Sequence, residues 1–329
     1  MIFGTICRLS WRGWHGTTGC MITSPNGTPI SSLTFGAMQF GGGADEQQSH
    51  VMYQAARDAG LTHFDTAHVY TGGASETLLG QFIQSDRDTL TIATKAAYEG
   101  GSGRSNILDS LETSRQRLQI DVVDILYLHR FDPNTDLKES FDALADLQSR
   151  GLIRYIGVSN FAAWQVVKAQ WIASSFGTHI DIVQPMYNLV KRQAEVEILP
   201  MCADQGIEIA PYSPLGGGLL TGKYATGGTG RLTTDDRYAA RYGLDWMHDT
   251  AKALTALAKG KGMDASTLAV AWAMAHETRP RPIVSARSVS QLEPSLAALD
   301  TPMTPDLYAE ISNLSQTPPL ATDRIEEQE

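Results

Sequence analysis

"VVDILYLH" (Val122–His129) is apolar almost from end to end, interrupted by one charge at Asp124 and closed by a histidine. A strand with one wet face alternates polar and apolar residues. A run as continuously hydrophobic as this one reads instead as a strand covered on both faces, the condition of a parallel sheet. Seven more runs of the same kind flank it: "LTFGAM" (33–38), "THFDTA" (62–67), "LTIATKA" (90–96), "IRYIGVSN" (153–160), "IDIVQPMYN" (180–188), "IEIAPYS" (207–213) and "RPIVSA" (281–286). Between them lie segments of helical period. Phe141, Leu144 and Leu147 recur at three-residue spacing and are closed by Gly151 in the place of a C-terminal cap, and Leu254, Leu257 and Ala258 share another face. Eight strands, each followed by a helix, predict a single-domain α/β fold, the (β/α)8 TIM barrel. The competing open, doubly wound sheet usually has fewer strands, and the G-x-G-x-x-G that marks its dinucleotide-binding form after the first strand is absent.

The rest of the chain agrees with an ordinary soluble globular protein. Its 329 residues are 42% hydrophobic and 19% charged, ample for a core, and no run of about 18 apolar residues suggests a membrane span. Acidic residues outnumber basic ones, 36 to 26, and the net charge of −10 argues against nucleic acid as a partner. Cys7, Cys20 and Cys202 have neither disulfide-framework nor zinc-site spacing, so a reducing cytoplasm and no metal are expected. Residues 1–20 lack a signal-peptide core and are expected to be a disordered extension, with Met21 as an alternative start. The barrel should occupy 21–315, opening with a short hairpin around Asn26-Gly27, and 316–329 should form an acidic tail. The sequence gives no oligomeric state.

The largest break in the βα alternation runs from Gly216 to about Asp249, and loops of that length in a compact domain are usually functional. It begins with "GGGLLTGKY" (216–224), which contains the G-x-x-x-x-G-K core of a triphosphate-binding P-loop. Tyr224 stands where that loop needs a magnesium-binding hydroxyl, and the following "ATGGTGRLTTDD" has no helical period, so the triphosphatase reading fails. Glycines that let a backbone approach phosphate oxygens remain its physical content.

In a barrel the chemistry sits at the C-terminal ends of the strands. Asp65 ends the second, Lys95 the third and His129 the fourth, while Tyr70 lies in the loop after the second. Singly, each has a bland reading as a turn cap, a snorkelling lysine or a structural histidine. Together at one rim they make a tuned general acid. Lys95 is costly to bury without Asp65, its charge would favour the phenolate and lower the Tyr70 pKa, and His129 could orient a carbonyl.

These residues carry a resemblance. "HFDTAHVYTGGASETLLG", "IATKA", "DILYLHRFDP", "IGVSNFAAWQ", "VQPMYNL" and "APYSPLGGGLLTGKY" together resemble the aldo-keto reductase family, over about Met21 to Leu299. The long-loop branch, with bacterial reductases and potassium-channel β subunits, is the most similar. The resemblance implies a barrel that binds an extended nicotinamide cofactor and transfers hydride to an aldehyde or ketone. Tyr70 is then the acid, Asp65 and Lys95 tune it, and His129 orients the carbonyl. It further implies that Ser159, Asn160 and Gln184 hold the carboxamide, that Tyr212 stacks on the nicotinamide, and that Ser213, Pro214, Leu215, Gly217 and Lys223 wrap the pyrophosphate. Ser285, Arg287 and Gln291 match the adenosine-end contacts, and Arg287 suits a 2′-phosphate, favouring NADPH (NADP) over NADH. Pro294 and Ser295 replace a common Glu-Asn, and Ala37 a common threonine. Arg231, Arg237 and Arg241 are either phosphate ligands or a solvated face, and Trp246 and Met247 either line the pocket or pack beneath the loop. Reduction of small carbonyls, sugar-derived ones included, is the leading expectation. A redox-sensing regulatory subunit and a sugar-nucleotide reductase are the alternatives.

Overall fold

The computed structural model describes residues 21–322. Eight parallel strands, β1 (Thr34–Gly36), β2 (His63–Asp65), β3 (Thr91–Ala96), β4 (Val123–Leu128), β5 (Ile153–Ser159), β6 (Ile182–Gln184), β7 (Glu208–Ile209) and β8 (Ile283–Val284), lie in the order β7-β6-β5-β4-β3-β2-β1-β8. The two ends meet. Tyr212 bridges in parallel to Ile283, the Ile283 amide donates to the Pro211 carbonyl at 2.8 Å and the Arg281 amide to that of Ile209 at 2.7 Å. The sheet is therefore the closed barrel expected, and every one of the eight predicted runs contributes its strand. Helices α1 (Glu46–Asp58), α2 (Ala74–Phe82), α3 (Arg104–Leu118), α4 (Leu137–Ser149), α5 (Ala163–Ser175) and α6 (Ile198–Gln205) follow β1 to β6.

Period-two alternation splits each strand between two cores. Ala93, Ile125, Tyr127, Ile182, Ala210 and Ile283 fill the barrel, while their neighbours Ile92, Leu126, Val183, Ile209 and Val284 pack in the larger core with the helices. Asp124, the charge inside the opening run, is fully buried, bonded to Arg87 at 2.8 Å and Arg154 at 2.9 Å, and accepts from the Ile92 amide. It is a structural tie. The expected hairpin forms between Thr23 and Pro29, and its Ile22 and Ile30 join the interior core. Each contributes about 1.5–3 kcal/mol by burial. Helix α4 buries Phe141, Leu144 and Leu147 and ends before Gly151, whose φ is +70°.

The segment after β7 departs from expectation. In place of a long loop it holds short 3-10 turns at Gly216–Thr221 and Lys223–Thr226, then helices α7 (Arg231–Thr234), α8 (Asp236–Tyr242) and α9 (Asp245–Gly260). Helices α7 and α8 are too short to repeat an apolar face, so no period betrays them. Local contacts hold them instead: the Asp235 carboxylate caps α8 by accepting from the Arg237 amide, and Tyr238 stacks on Tyr242 one turn later. Helix α10 (Ala265–Met274) leads to β8, and α11 (Val289–Leu296) and α12 (Pro305–Ser312) complete the order. The expected extension 1–20, and 323–329 of the tail, lie outside the described residues.

Candidate active site

Three strands and one strained turn bring the four predicted groups together. Lys95, on the inward face of β3, is almost wholly buried. Its ammonium donates to Asp65 Oδ2 at 2.5 Å, to the Thr66 carbonyl at 2.7 Å and to the Tyr70 hydroxyl at 3.3 Å. All three donors of the ammonium are used, the condition under which a buried lysine stays charged. Burial pulls the Lys95 pKa down, but Asp65 and Tyr70 outweigh it and hold it above the ordinary lysine value. The second Asp65 oxygen accepts from Gln184 Nε2 at 2.8 Å, tying β2 across the barrel to β6.

Tyr70 differs from expectation in one respect. Burial pushes its phenol above the usual value, and the Lys95 cation offsets this only in part. The charge acts in the direction the sequence suggested, yet desolvation of a phenolate is the larger effect here. Tyr70 is accordingly protonated at neutral pH. Since Lys95 donates to its oxygen, the phenolic hydrogen is left for another acceptor.

His129 follows β4 and meets Tyr70 edge-on, ring centroids 5.7 Å apart, with Tyr98 against it at 4.7 Å. Burial, then the Lys95 and Arg130 charges, lower its pKa to about 3, so the imidazole is neutral; Nδ1 has no hydrogen-bond partner among the described residues. His63, beneath Asp65 on β2, is likewise held at about 3, chiefly by burial, and its Nδ1 meets the Thr34 hydroxyl at 2.9 Å. Both native pKa values lie below the unfolded value, so between pH 6.5 and about 3 the unfolded chain binds more protons. The stability these residues contribute is complete above pH 6.5 and is lost as pH falls through that window. Urea denaturation across it should show an acid loss on the order of a few kcal/mol that His63→Asn reduces. An unchanged acid slope in that variant would remove His63 from the account.

The predicted cofactor residues occupy the same rim. Ser159 Oγ donates to the Gln184 carbonyl at 2.9 Å, and Asn160, at φ +57°, donates to the His129 carbonyl at 3.0 Å and accepts from the Tyr212 hydroxyl at 2.7 Å. Ser213 and Gly216 to Gly218 all have positive φ, a sharply turning backbone that glycine adopts without strain. Pro214 and Leu215 lie within this turn, and the Lys223 ammonium lies 5.0 Å from the Tyr224 ring centre. Past β8, Ser285, Arg287 and Gln291 are exposed; Arg287 Nε donates to Gln39 Oε1 at 3.2 Å, and its amide donates to Gln291 Oε1 at 3.3 Å. Of the alternatives left open, Met247 is buried in the core and Arg237 pairs with Asp235, while Arg231 and Arg241 face the Tyr238 ring. Ser295 is buried in α11.

Two neighbours of the site escaped the sequence reading. Tyr98 stands three residues beyond Lys95 in the loop after β3, so the strand-end rule that found Lys95 would have found it too. Gln39, in the loop after β1, is tied to Arg287 by an interaction 248 residues long, which no local pattern reveals.

The sequence model of the Aldo/keto reductase family matches residues 32–316. Among curated proteins, one named "Probable voltage-gated potassium channel subunit beta" from Oryza sativa subsp. japonica is 31% identical, covering 91% of this chain and 97% of its own length. Norsolorinic acid reductase B of Dothistroma septosporum is 30% identical, covering 82% of this chain and 74% of its own. Aflatoxin B1 aldehyde reductase member 2 of Rattus norvegicus is 36% identical, covering 66% and 63%. Among the described residues no three or more His, Cys, Asp or Glu side chains form a metal-binding group, and no helix is long and apolar enough to cross a membrane. The family match spans every strand of the barrel and the rim on which Asp65, Tyr70, Lys95 and His129 meet, and the chain belongs to the aldo/keto reductase family, oxidoreductases that use NAD(P)H on small carbonyl compounds.

Proposed function

We propose that the protein reduces aldehydes or ketones, sugar-derived carbonyls included, with NADPH as its cofactor and Tyr70 as the general acid. The observation that carries the reading is the bonded series at a barrel rim from the buried Gln184, Asp65 and Lys95 to the half-buried Tyr70. A nicotinamide cofactor supplies hydride to the carbonyl carbon when bound. Tyr70 gives its proton to the carbonyl oxygen as charge develops there, and Lys95 stabilises the phenolate left behind. The neutral His129 imidazole is suited to orient that oxygen without competing as an acid.

The donor set fits such a cofactor. Ser159 and Asn160 bring a hydroxyl and a carboxamide together, Asn160 Nδ2 donating to Ser159 Oγ at 3.1 Å. The Gln184 carboxamide lies on the Asp65 side, Tyr212 offers an aromatic face beside Asn160, and the turning backbone of Ser213 to Gly218 with Lys223 suits a pyrophosphate. Arg287 is exposed and offers a guanidinium to a 2′-phosphate. Arg287→Ala should raise the NADPH dissociation constant about tenfold to a hundredfold with little change for NADH. Equal weakening of both, read by fluorescence titration, would remove the assignment. NADPH oxidation with a panel of aldehydes and ketones tests the activity itself.

The similarity to a channel β subunit supports a second reading, a regulatory subunit that holds its cofactor and turns over slowly. Slow cofactor release together with a stable complex with a partner protein would favour it over the first.

A further inference from the structure

Tyr70 opens a turn that an ordinary sequence would not hold. Thr71, Gly72 and Gly73 follow at φ +48°, +64° and +98°, three successive residues in the left-handed region, and a threonine there is strained. On one side Thr71 Oγ1 donates to the Phe40 carbonyl at 2.8 Å and accepts from the Ser75 amide at 2.9 Å. On the other side the turn is held from α3. Arg117 NH1 donates to the His68 carbonyl, two residues before Tyr70, at 2.9 Å and to Glu76 Oε2 at 3.1 Å. Its guanidinium packs against Gly73, where a Cβ would come within 2.5 Å of Arg117 Cζ.

Glu76, in the first turn of α2, is completely buried, a placement that is costly for a carboxylate without compensation. Its second oxygen accepts from Thr94 Oγ1 at 2.6 Å. Thr94 precedes Lys95 on β3. One ion pair, its carboxylate buried and its guanidinium half-buried, therefore touches both the turn that presents Tyr70 and the strand that presents Lys95, whose functional atoms stand 3.3 Å apart at the long end of a hydrogen bond. A small displacement of either would break that contact.

On the reading of Tyr70 as the general acid, we propose that Glu76 and Arg117 are positioning residues that fix its hydroxyl against Lys95. Their bonds run to the His68 carbonyl, to Thr94 and to each other, and to none of the residues assigned above to substrate or cofactor. A tie serving only to pack α2 on α3 would need neither the bond to the His68 carbonyl nor the one from Thr94.

The test is a double-variant cycle. Arg117→Ala and, separately, Glu76→Gln, which keeps side-chain volume, should each lower kcat about tenfold to a hundredfold, with the NADPH dissociation constant unchanged. In a Tyr70→Phe background the same replacements should leave the residual rate where Tyr70→Phe puts it, because their effect runs through the hydroxyl. An equal loss in both backgrounds marks a general structural role and overturns the proposal. A wild-type kcat in both single variants, with Tyr70→Phe severely impaired, overturns it as well and leaves the acid assignment standing. A Tyr70→Phe enzyme as fast as wild type removes the acid assignment, and the positioning role with it.

Discussion

Tyr70→Phe should lower kcat for carbonyl reduction about 10²- to 10⁴-fold, the range that general acid catalysis supplies. The fold should survive with a loss on the order of 1–3 kcal/mol, the cost of leaving one Lys95 donor without its partner. Lys95 keeps its bonds to Asp65 and the Thr66 carbonyl, and the ring keeps its edge contact with His129. Activity and stability are thereby separated in one variant. The pH profile adds a signature. Burial holds the Tyr70 phenol above its ordinary value, so wild-type kcat/KM for reduction should persist through the range where a free phenol, with a pKa near about 10, still holds its proton, and fall only beyond it. That alkaline fall should vanish in the variant. Stopped-flow measurement of NADPH oxidation at several pH values reads both, and an alkaline limb that survives Tyr70→Phe would assign the titrating acid elsewhere.

The barrel was legible because a strand covered on both faces has a composition no other short element shares, and eight such runs in alternation with helical period leave few architectures. The groups proposed for catalysis stood out in the sequence for a related reason. A lysine or aspartate ending an apolar strand is an expensive exception, and Asp65, Lys95 and His129 each break the pattern at its C-terminal end. Glu76 and Arg117 break no pattern that a linear reading can see. Glu76 lies in the polar-looking stretch "ASET", and its burial follows from a partner 41 residues away. The direction of the Tyr70 shift was equally out of reach, since it turns on a contest between burial and a nearby charge that only packing decides. The segment after β7 was hidden by brevity, because α7 and α8 are too short to establish a period.

The second large effect concerns the pair itself. Lys95→Met keeps much of the side-chain volume but removes the cation, leaving Asp65 buried with the Gln184 amide as its remaining side-chain donor. Removing one partner of such a pair should destabilise the fold by about 3–5 kcal/mol at neutral pH. The sign of its pH dependence follows from Asp65. Burial already raises this carboxyl, and Lys95 pulls it the other way, so without Lys95 it rises further. A carboxyl whose native pKa exceeds its unfolded one favours the fold below the unfolded value and loses that contribution as pH rises through the native one. The deficit of the variant relative to wild type should thus be greatest at neutral and alkaline pH and shrink on acidification. Asp65→Asn combined with Lys95→Met removes the stranded charge and should recover most of the lost stability while carbonyl reduction stays abolished. Urea denaturation at two pH values, alongside NADPH oxidation, separates the outcomes. A Lys95→Met protein as stable as wild type at neutral pH would overturn the predicted cost of stranding Asp65 without its cation.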